Sequence, residues 1–495
     1  MDTAKIDRKL VAKLFVGSIL FALLLRVVIG LFYYNGFDTM TWYMPWADSL
    51  QEGFWNAYNG HMPDLDYPPL YLFGLYVVGL LHQVDGIMGY GPFTMIIIKM
   101  WPIIFDILTC ILLYKIFDKK TSPLFALVVS SLWAFNPAVI FNSSFWGQTD
   151  GMMIFFLILC FYLLDEKKPV AASIVFGLCA LLKMQTLYFT PILLLELFVK
   201  YKPRKAALSL GAGLLTGIVG FLPFMIGCGK PFLESIALPF TVYFGGLGKY
   251  PYATLEAFNI YGFLGLNWVS DVESAAVSPL VPVPVLLIAF GAFLAATVIY
   301  FVRKQKMPAW LLIAGLTDAL LVLFACVMPM FGNAHIFGTI MLIASLVLVI
   351  FLYLKGETRS PWLAGFLLMN LLFMLTTRQH ERYQIIVLPL VLMAAARAKD
   401  LKLYAVYIAQ SGICLVNQAM LLLKRNAYYT EDGVAALWYG QNDATYNLIL
   451  QIFSFANVIL FVVSAYLVIR MLLCKRTPED GALQEQPTQI PEVHA

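Results

Sequence analysis

Apolar runs closed by short polar connectors repeat along this chain from residue 14 to residue 472. A helix crosses a bilayer with about 20 predominantly apolar residues. The pattern predicts spans at roughly 14–33, 97–117, 123–143, 150–164, 169–184, 186–200, 206–227, 281–302, 309–328, 335–354, 361–376, 384–397, 401–423 and 447–472. The expectation is an all-α polytopic membrane protein with about fourteen transmembrane helices.

The connectors alternate in character. Basic ones carry Lys115, Lys119 and Lys120, then Lys167 and Lys168, then Lys200, Lys202, Arg204 and Lys205. Further along come Arg303, Lys304 and Lys306, then Lys355 and Arg359, then Arg397, Lys399 and Lys402. With the head Met1–Lys13 and Arg470, Lys475 and Arg476, these hold most of the 33 lysines and arginines. Loops rich in Lys and Arg stay cytoplasmic, so both termini are expected inside, with two long external loops at about 34–96 and 228–280. The head is charged, and the apolar stretch after it is long and lacks a small-residue cleavage site, so it reads as a retained first span. Leu70–Leu81 is short for a span. Counting it as one would invert every later connector, so it reads as a dipping or interfacial helix in the first external loop. The aromatic-rich stretch Thr41–Tyr58 likewise suits a helix lying at the interface. The division is then a head at 1–13, a membrane module at 14–390, further membrane helices at 391–474, and a Glu/Gln/Pro-rich tail at 475–495 that reads as disordered.

Composition agrees with the pattern. The chain has 495 residues, 61% hydrophobic and 13% charged, against about 25% charged in a soluble domain. Mean hydropathy is +0.80. The net charge of +4 says less than its distribution. Seven cysteines are scattered, mostly within apolar runs and without CxxC spacing, as befits buried structural thiols.

The polar residues left over gather on the predicted external side. The first loop carries Asp38, Asp48, Glu52, Asp64, Asp66 and Asp85, and Asp66 opens Asp66-Tyr67-Pro68-Pro69. Then come Trp146-Gly147-Gln148-Thr149-Asp150, Lys183-Met184-Gln185, Lys249-Tyr250-Pro251-Tyr252 and Arg378-Gln379-His380-Glu381-Arg382-Tyr383. Each lies at the end of an apolar run. Ionisable groups at membrane depth are costly and usually face a functional cavity, so one outward-opening polar cavity is expected. Arginine suits a phosphate through its planar fork. Cations beside carboxylates suit an anionic donor and a hydroxyl that must lose a proton.

Plainer roles exist for each residue. Asp38 and Asp150 are good helix caps, Asp66 before Pro-Pro is good turn chemistry, and Arg378 and Arg382 could anchor an interface by snorkelling. His380-Glu381 lacks the second histidine of a zinc protease motif. Asp106 and Asp318, deeper in spans, suit ion pairs or helix packing. Lys99 shares a helix face with Asp106 and could line the cavity. Asn142-Ser143-Ser144 matches a glycosylation sequon.

The order of these motifs resembles the GT-C superfamily of membrane glycosyltransferases. Asp66-Tyr67-Pro68-Pro69, the Gln148 cluster, Lys183-Met184-Gln185 and His380-Glu381-Arg382 are similar to those of the dolichyl-phosphate-glucose glucosyltransferases of N-glycan assembly. They are similar also to bacterial proteins related to the second GPI mannosyltransferase. The departures are the missing histidine near Gln148, Met-Gln in place of Gln-Met after Lys183, and Arg382 in place of lysine.

The resemblance implies inverting transfer of glucose or mannose from a polyprenyl-phosphate monosaccharide to an acceptor hydroxyl on the external or luminal face. Asp38 would be the general base. Arg378, His380, Arg382 and Lys183 would hold the donor phosphate; Asp64, Asp66, Gln148, Asp150, Gln185 and Glu381 would shape the acceptor or sugar site. No cofactor or metal is required on this reading. Membrane lipids and a glycan, lipid-linked or polymer acceptor are the expected partners, with no nucleic acid, and a bacterial plasma membrane is the expected location. A transporter or flippase of a lipid-linked glycan would carry its charges near the membrane midplane, and an external wall-polymer ligase would take a diphosphate-linked glycan.

Overall fold

The computed structural model describes residues 7–33, 37–60, 62, 64–84, 91–273, 276–430, 433–438 and 444–474. Asp85 and the tail 475–495 lie outside the described residues. The helices of the first half are α1 (Arg8–Phe32), α2 (Met44–Glu52), α3 (Pro69–His82), α4 (Pro92–Lys120), α5 (Pro123–Ala134), α6 (Pro137–Ile140), α7 (Asp150–Asp165), α8 (Pro169–Ala180), α9 (Thr190–Lys200) and α10 (Pro203–Gly227). The second half has α11 (Phe232–Gly245), α12 (Ile260–Phe263), α13 (Val283–Val302), α14 (Ala309–Val322), α15 (Ala334–Lys355), α16 (Pro361–Leu375), α17 (Val387–Ala398), α18 (Leu401–Lys424) and α19 (Ala444–Leu473). Two strand pairs join them: β1 (Thr254–Leu255) runs parallel to β2 (Gln379–His380), and β3 (Arg425–Thr430) antiparallel to β4 (Gly433–Trp438).

Local sequence explains many helix starts. Proline opens α3, α4, α5, α8, α10 and α16, where its missing N–H costs nothing and its fixed φ suits the first turn. Ser122, Asn333, Ser360 and Asp400 cap α5, α15, α16 and α18 by accepting from backbone N–H groups.

All fourteen expected segments coincide with helices. Among the described residues, eight are long and apolar enough to cross a membrane, or nine if the pair Pro123–Ala134 and Pro137–Trp146, bent by 47°, counts as one span. α3, at 14 residues, belongs to the shorter class. Five others are shorter than a span for a positional reason. α7, α8, α9, α16 and α17 have 16, 12, 11, 15 and 12 residues. At 1.5 Å per residue they reach only about 17–24 Å, against a hydrocarbon core of about 30 Å.

All five have one terminus at the same end of the bundle. There Arg8 meets Asp118 at 2.8 Å, Lys119 and Lys120 meet Glu166 at 2.8 and 2.9 Å, and Arg397 meets Asp165 at 2.6 Å. The end of α19 joins them, the Leu472 carbonyl accepting from Thr358 N–H at 3.1 Å. The basic connectors therefore share one end. Beyond the opposite tips lie segments within 37–60, 64–70 and 246–271: Leu70 N–H donates to the Leu181 carbonyl just past α8 at 2.9 Å, and the Tyr261 hydroxyl to the Leu375 carbonyl at the end of α16 at 3.1 Å. α16, buried along all its residues, is the centre of this arrangement, as expected of a helix apolar all round.

A buried ion pair fixes how deep those tips lie. Arg26 on α1 donates through Nε to Asp106 Oδ2 on α4 at 3.1 Å and through Nη1 to the Ala134 carbonyl at 2.8 Å. Both side chains are essentially inaccessible. Gly151, in the first turn of α7, packs so close that an added Cβ would stand 2.8 Å from Asp106 Oδ1. The start of α7 thus lies level with the middle of α4.

Substituting Arg26→Met leaves the Asp106 charge uncompensated and should cost about 3–5 kcal/mol. It would be read as a lowered denaturation midpoint of the detergent-purified protein by tryptophan fluorescence. Adding Asp106→Leu should recover most of the loss.

Candidate active site

Two π-helical turns deliver the first polar groups. Thr39–Tyr43 follows directly on Asp38, and Phe141–Trp146 precedes Gly147-Gln148. Such turns shift the side-chain register and recur at functional sites. Gly147 has φ +82, and a Cβ there would stand 2.6 Å from Thr39 Cγ2 and 2.9 Å from Lys99 Cγ. A glycine lets the two turns close on each other, and the Gln148 side-chain amide then donates to Asp38 Oδ2.

The cavity they face has a volume of about 790 Å³, its open mouth included. Of the residues singled out by sequence, Asp38, Asp66, Lys183, Gln185, His380 and Arg382 line it. Arg382 Nη1 stands 3.9 Å from Asp38 Oδ2 and 2.8 Å from Glu381 Oε1, with its guanidinium over Trp146 at 5.4 Å. His380 lies 3.7 Å from Glu381 and edge-on to Tyr250, ring centroids 5.0 Å apart. At the deep side Lys183 pairs with Asp150, which also accepts from Asn142 at 3.2 Å. At the mouth Lys249 bonds Asp66 Oδ2 at 3.1 Å and the Asp64 carbonyl at 3.0 Å, tying the first loop to the second.

Burial tunes these groups. It raises the Asp38 carboxyl above the ordinary range, with the nearby Arg382 charge working against it. It also pushes Glu381 up, but Arg382 and His380 outweigh it and hold that carboxyl at about 2. Burial lowers His380, favouring the neutral ring. The cavity therefore holds a permanent cation, a neutral imidazole and a carboxylate of raised basicity within one wall.

Other expected residues stand behind the lining. Gln148, Asp150 and Glu381 each hold a lining residue from the rear. Asp64, at φ 56, offers its carbonyl. Arg378 does not line the cavity: its guanidinium forks onto buried Asp271 at 2.7 and 3.2 Å, and His335 joins the same carboxylate at 3.2 Å. Lys99 is fully buried and donates to the Tyr33 carbonyl at 3.0 Å. Asn142 is spent on Asp150 and Gln418 and is buried, which closes the sequon to an enzyme.

Lining residues that carried no assignment from sequence include Trp42, Tyr43, Tyr67, Lys249, Tyr250 and Tyr383. Tyr67 is inside the Asp-Tyr-Pro-Pro motif, and Lys249-Tyr250 stands out as a polar cluster, so both left a signal. Trp42 gave none beyond an aromatic stretch that suits an interface. Tyr43 links Tyr67 and Gln148 through its hydroxyl, at 2.8 and 3.2 Å.

Residues 65–323, just over half of the chain, match the family model "Glycosyltransferase family 87". The chain belongs to that family. That family is of the GT-C type of glycosyltransferase, and the long apolar helices of this chain fit its membrane architecture. It is also similar to GPI mannosyltransferase 1 of Saccharomyces cerevisiae, 26% identical over 127 residues, which is 24% of this chain and 30% of that protein. The chain therefore matches less than a third of that relative's length. The family match contains Asp66, Gln148, Asp150, Lys183, Gln185 and Lys249, while Asp38 and His380–Arg382 lie outside it. The fold gathers both sets in, or directly behind, the wall of one cavity.

Arg378→Met should behave as the loss of a structural partner. Asp271 is left with a weaker set of donors, and thermal stability and glycosyl transfer should fall together. The Arg378→Met/Asp271→Asn pair should recover most of both. A double variant that folds normally yet stays inactive would return Arg378 to direct substrate binding.

Proposed function

We propose that this glycosyltransferase moves a hexose from a polyprenyl-phosphate monosaccharide to an acceptor hydroxyl, with inversion, and that Asp38 is the general base. The observation that carries the reading is Asp38 and Arg382 side by side on the cavity wall, with burial raising the carboxyl. In a single displacement the acceptor oxygen attacks the anomeric carbon, its proton passes to Asp38, and the bond from that carbon to the phosphate oxygen breaks. The polyprenyl phosphate leaves with the electron pair. Arg382 and His380, with Lys183 deeper in, suit the charge growing on that phosphate, because fixed donors in a water-poor cavity act most strongly where charge develops.

Gln185 and Asp66 are assigned to the sugar and acceptor. The Gln185 amide oxygen is buried at the cavity wall without a hydrogen-bond partner among the described residues, as suits a group awaiting a hydroxyl. Mannose is the favoured sugar because the matched yeast protein bears the name of a mannosyltransferase. The cavity lies at the end opposite the basic connectors, which supports an external or luminal active face. A bacterial plasma membrane and a cell-envelope glycan, lipid-linked or polymer acceptor complete the reading.

The test is transfer by purified protein in nanodiscs, with polyprenyl-phosphate mannose and polyprenyl-phosphate glucose offered separately and membrane extract as acceptor. Asp38→Asn should lower kcat by roughly 10²–10⁴-fold while donor binding persists. Equal turnover in wild type and variant would remove Asp38 from the chemistry. Arg382→Gln should cost on the order of 10²–10³-fold. The base works deprotonated, so a raised carboxyl moves the acid limb of kcat/KM upward, above the ordinary aspartate value of about 3.9. A pH profile flat down to that value would contradict the assignment.

A further inference from the structure

Outside the cavity lies a second polar cluster, centred on Glu256 in the second external loop. Its carboxylate collects four donors. Trp268 Nε1 reaches Oε1 at 2.9 Å, Lys424 Nζ at 3.3 Å and Arg425 Nη2 at 3.3 Å, while the Tyr446 hydroxyl donates to Oε2. The side chain is 1% exposed. Its backbone is held as firmly: Glu256 N–H donates to Asn267 Oδ1 at 2.8 Å, and its carbonyl accepts from Asn417 Nδ2 at 2.6 Å. Glu256 also has φ 61, a left-handed conformation that a non-glycine residue adopts only where its surroundings impose it.

Two features connect this cluster to the catalytic wall. Glu256 forms an antiparallel bridge with His380, and the adjoining Thr254–Leu255 pairs in parallel register with Gln379–His380. The segment that presents His380 and Arg382 is thus laid on β1 and on Glu256, the residue that follows it. On the other side the Arg425 guanidinium lies 5.2 Å from the ring centre of Phe37, the residue before Asp38. Lys424 and Arg425 come from the end of α18 and the start of β3, and Tyr446 from the start of α19, all beyond the stretch that matches the family. Glu256 does not line the cavity, so its influence runs through its neighbours.

We propose that Glu256 is a positioning residue: by gathering Lys424, Arg425 and Tyr446 onto the strand beside Gln379–His380, it sets the geometry of His380 and Arg382 against Asp38. Its effect on transfer rests on the function proposed above; its effect on the backbone does not. Losing the carboxylate takes the shared acceptor from two buried cations. The loop then has reason to shift, and a displacement near 1 Å can cost on the order of 10²-fold in rate.

The experiment uses the full-length protein and the variants Glu256→Gln and Glu256→Asp, with two readouts. Backbone hydrogen exchange across 376–386 should accelerate in Glu256→Gln while α4 and α16 exchange as in wild type. Turnover should fall on the order of 10²-fold in kcat, with donor KM changing less. Glu256→Asp keeps the charge and tolerates a left-handed backbone better than most residues, so it should recover most of both. Unchanged exchange across 376–386 in a folded Glu256→Gln variant would overturn the proposal. So would acceleration spread evenly over all helices, which is the signature of general destabilisation. Inactivity of wild type with every polyprenyl-phosphate donor would defeat the function proposed above and leave the exchange result standing.

Discussion

The controlling constraint is that every charge carried into an apolar helix bundle needs a partner. Removing a charge from water costs several kcal/mol, and only close, well-formed pairing offsets that. This molecule meets the requirement at successive depths. Arg26–Asp106 joins α1 to α4, Lys183–Asp150 joins the tips of α8 and α7, and Arg382 lies between Glu381 and Asp38. Each pair spans two segments, so each also fixes where one segment stops against another.

The cavity follows from short helices. Five helices with one terminus at the basic end are shorter than a full span, and the space above their tips is closed by short helices and turns. Non-helical backbone there is tolerated where it is buried or lines a polar cavity, as in the turns within 37–60, 64–68, 246–271 and 376–382. Their backbones are secured to one another. The β1–β2 pair and the bond from Arg378 N–H to the Tyr252 carbonyl at 3.1 Å do this for the last segment. A side chain on such a segment is as rigid as the clusters beneath it, which is why the proposed function makes Asp271 and Glu256 matter to chemistry they do not touch.

Within the cavity the charges divide the work by environment. Glu381 is held ionised behind Arg382, so the arginine keeps a fixed orientation. Asp38 has a more distant cation and a glutamine amide, and burial leaves its carboxyl more basic than usual. Two carboxylates flanking one arginine thereby meet different environments; on the function proposed here one is structural and the other accepts the proton.

The apolar periodicity by itself determined the helical class, the fourteen helical segments and the common end of the basic connectors, because these are properties of contiguous sequence read against a bilayer. It also picked out Asp38, Asp66, Lys183, Gln185, His380 and Arg382, since a polar residue at the tip of an apolar run is conspicuous. Partner choice was decided only by tertiary structure. Nothing near Arg378 announces that Asp271 takes its guanidinium, nor does Glu256 in a loop announce the donors from Lys424, Arg425 and Tyr446. The depth of the cavity was equally hidden. Hydropathy counts apolar residues, but whether a helix crosses or stops part-way depends on which neighbours surround it and what its tip must meet.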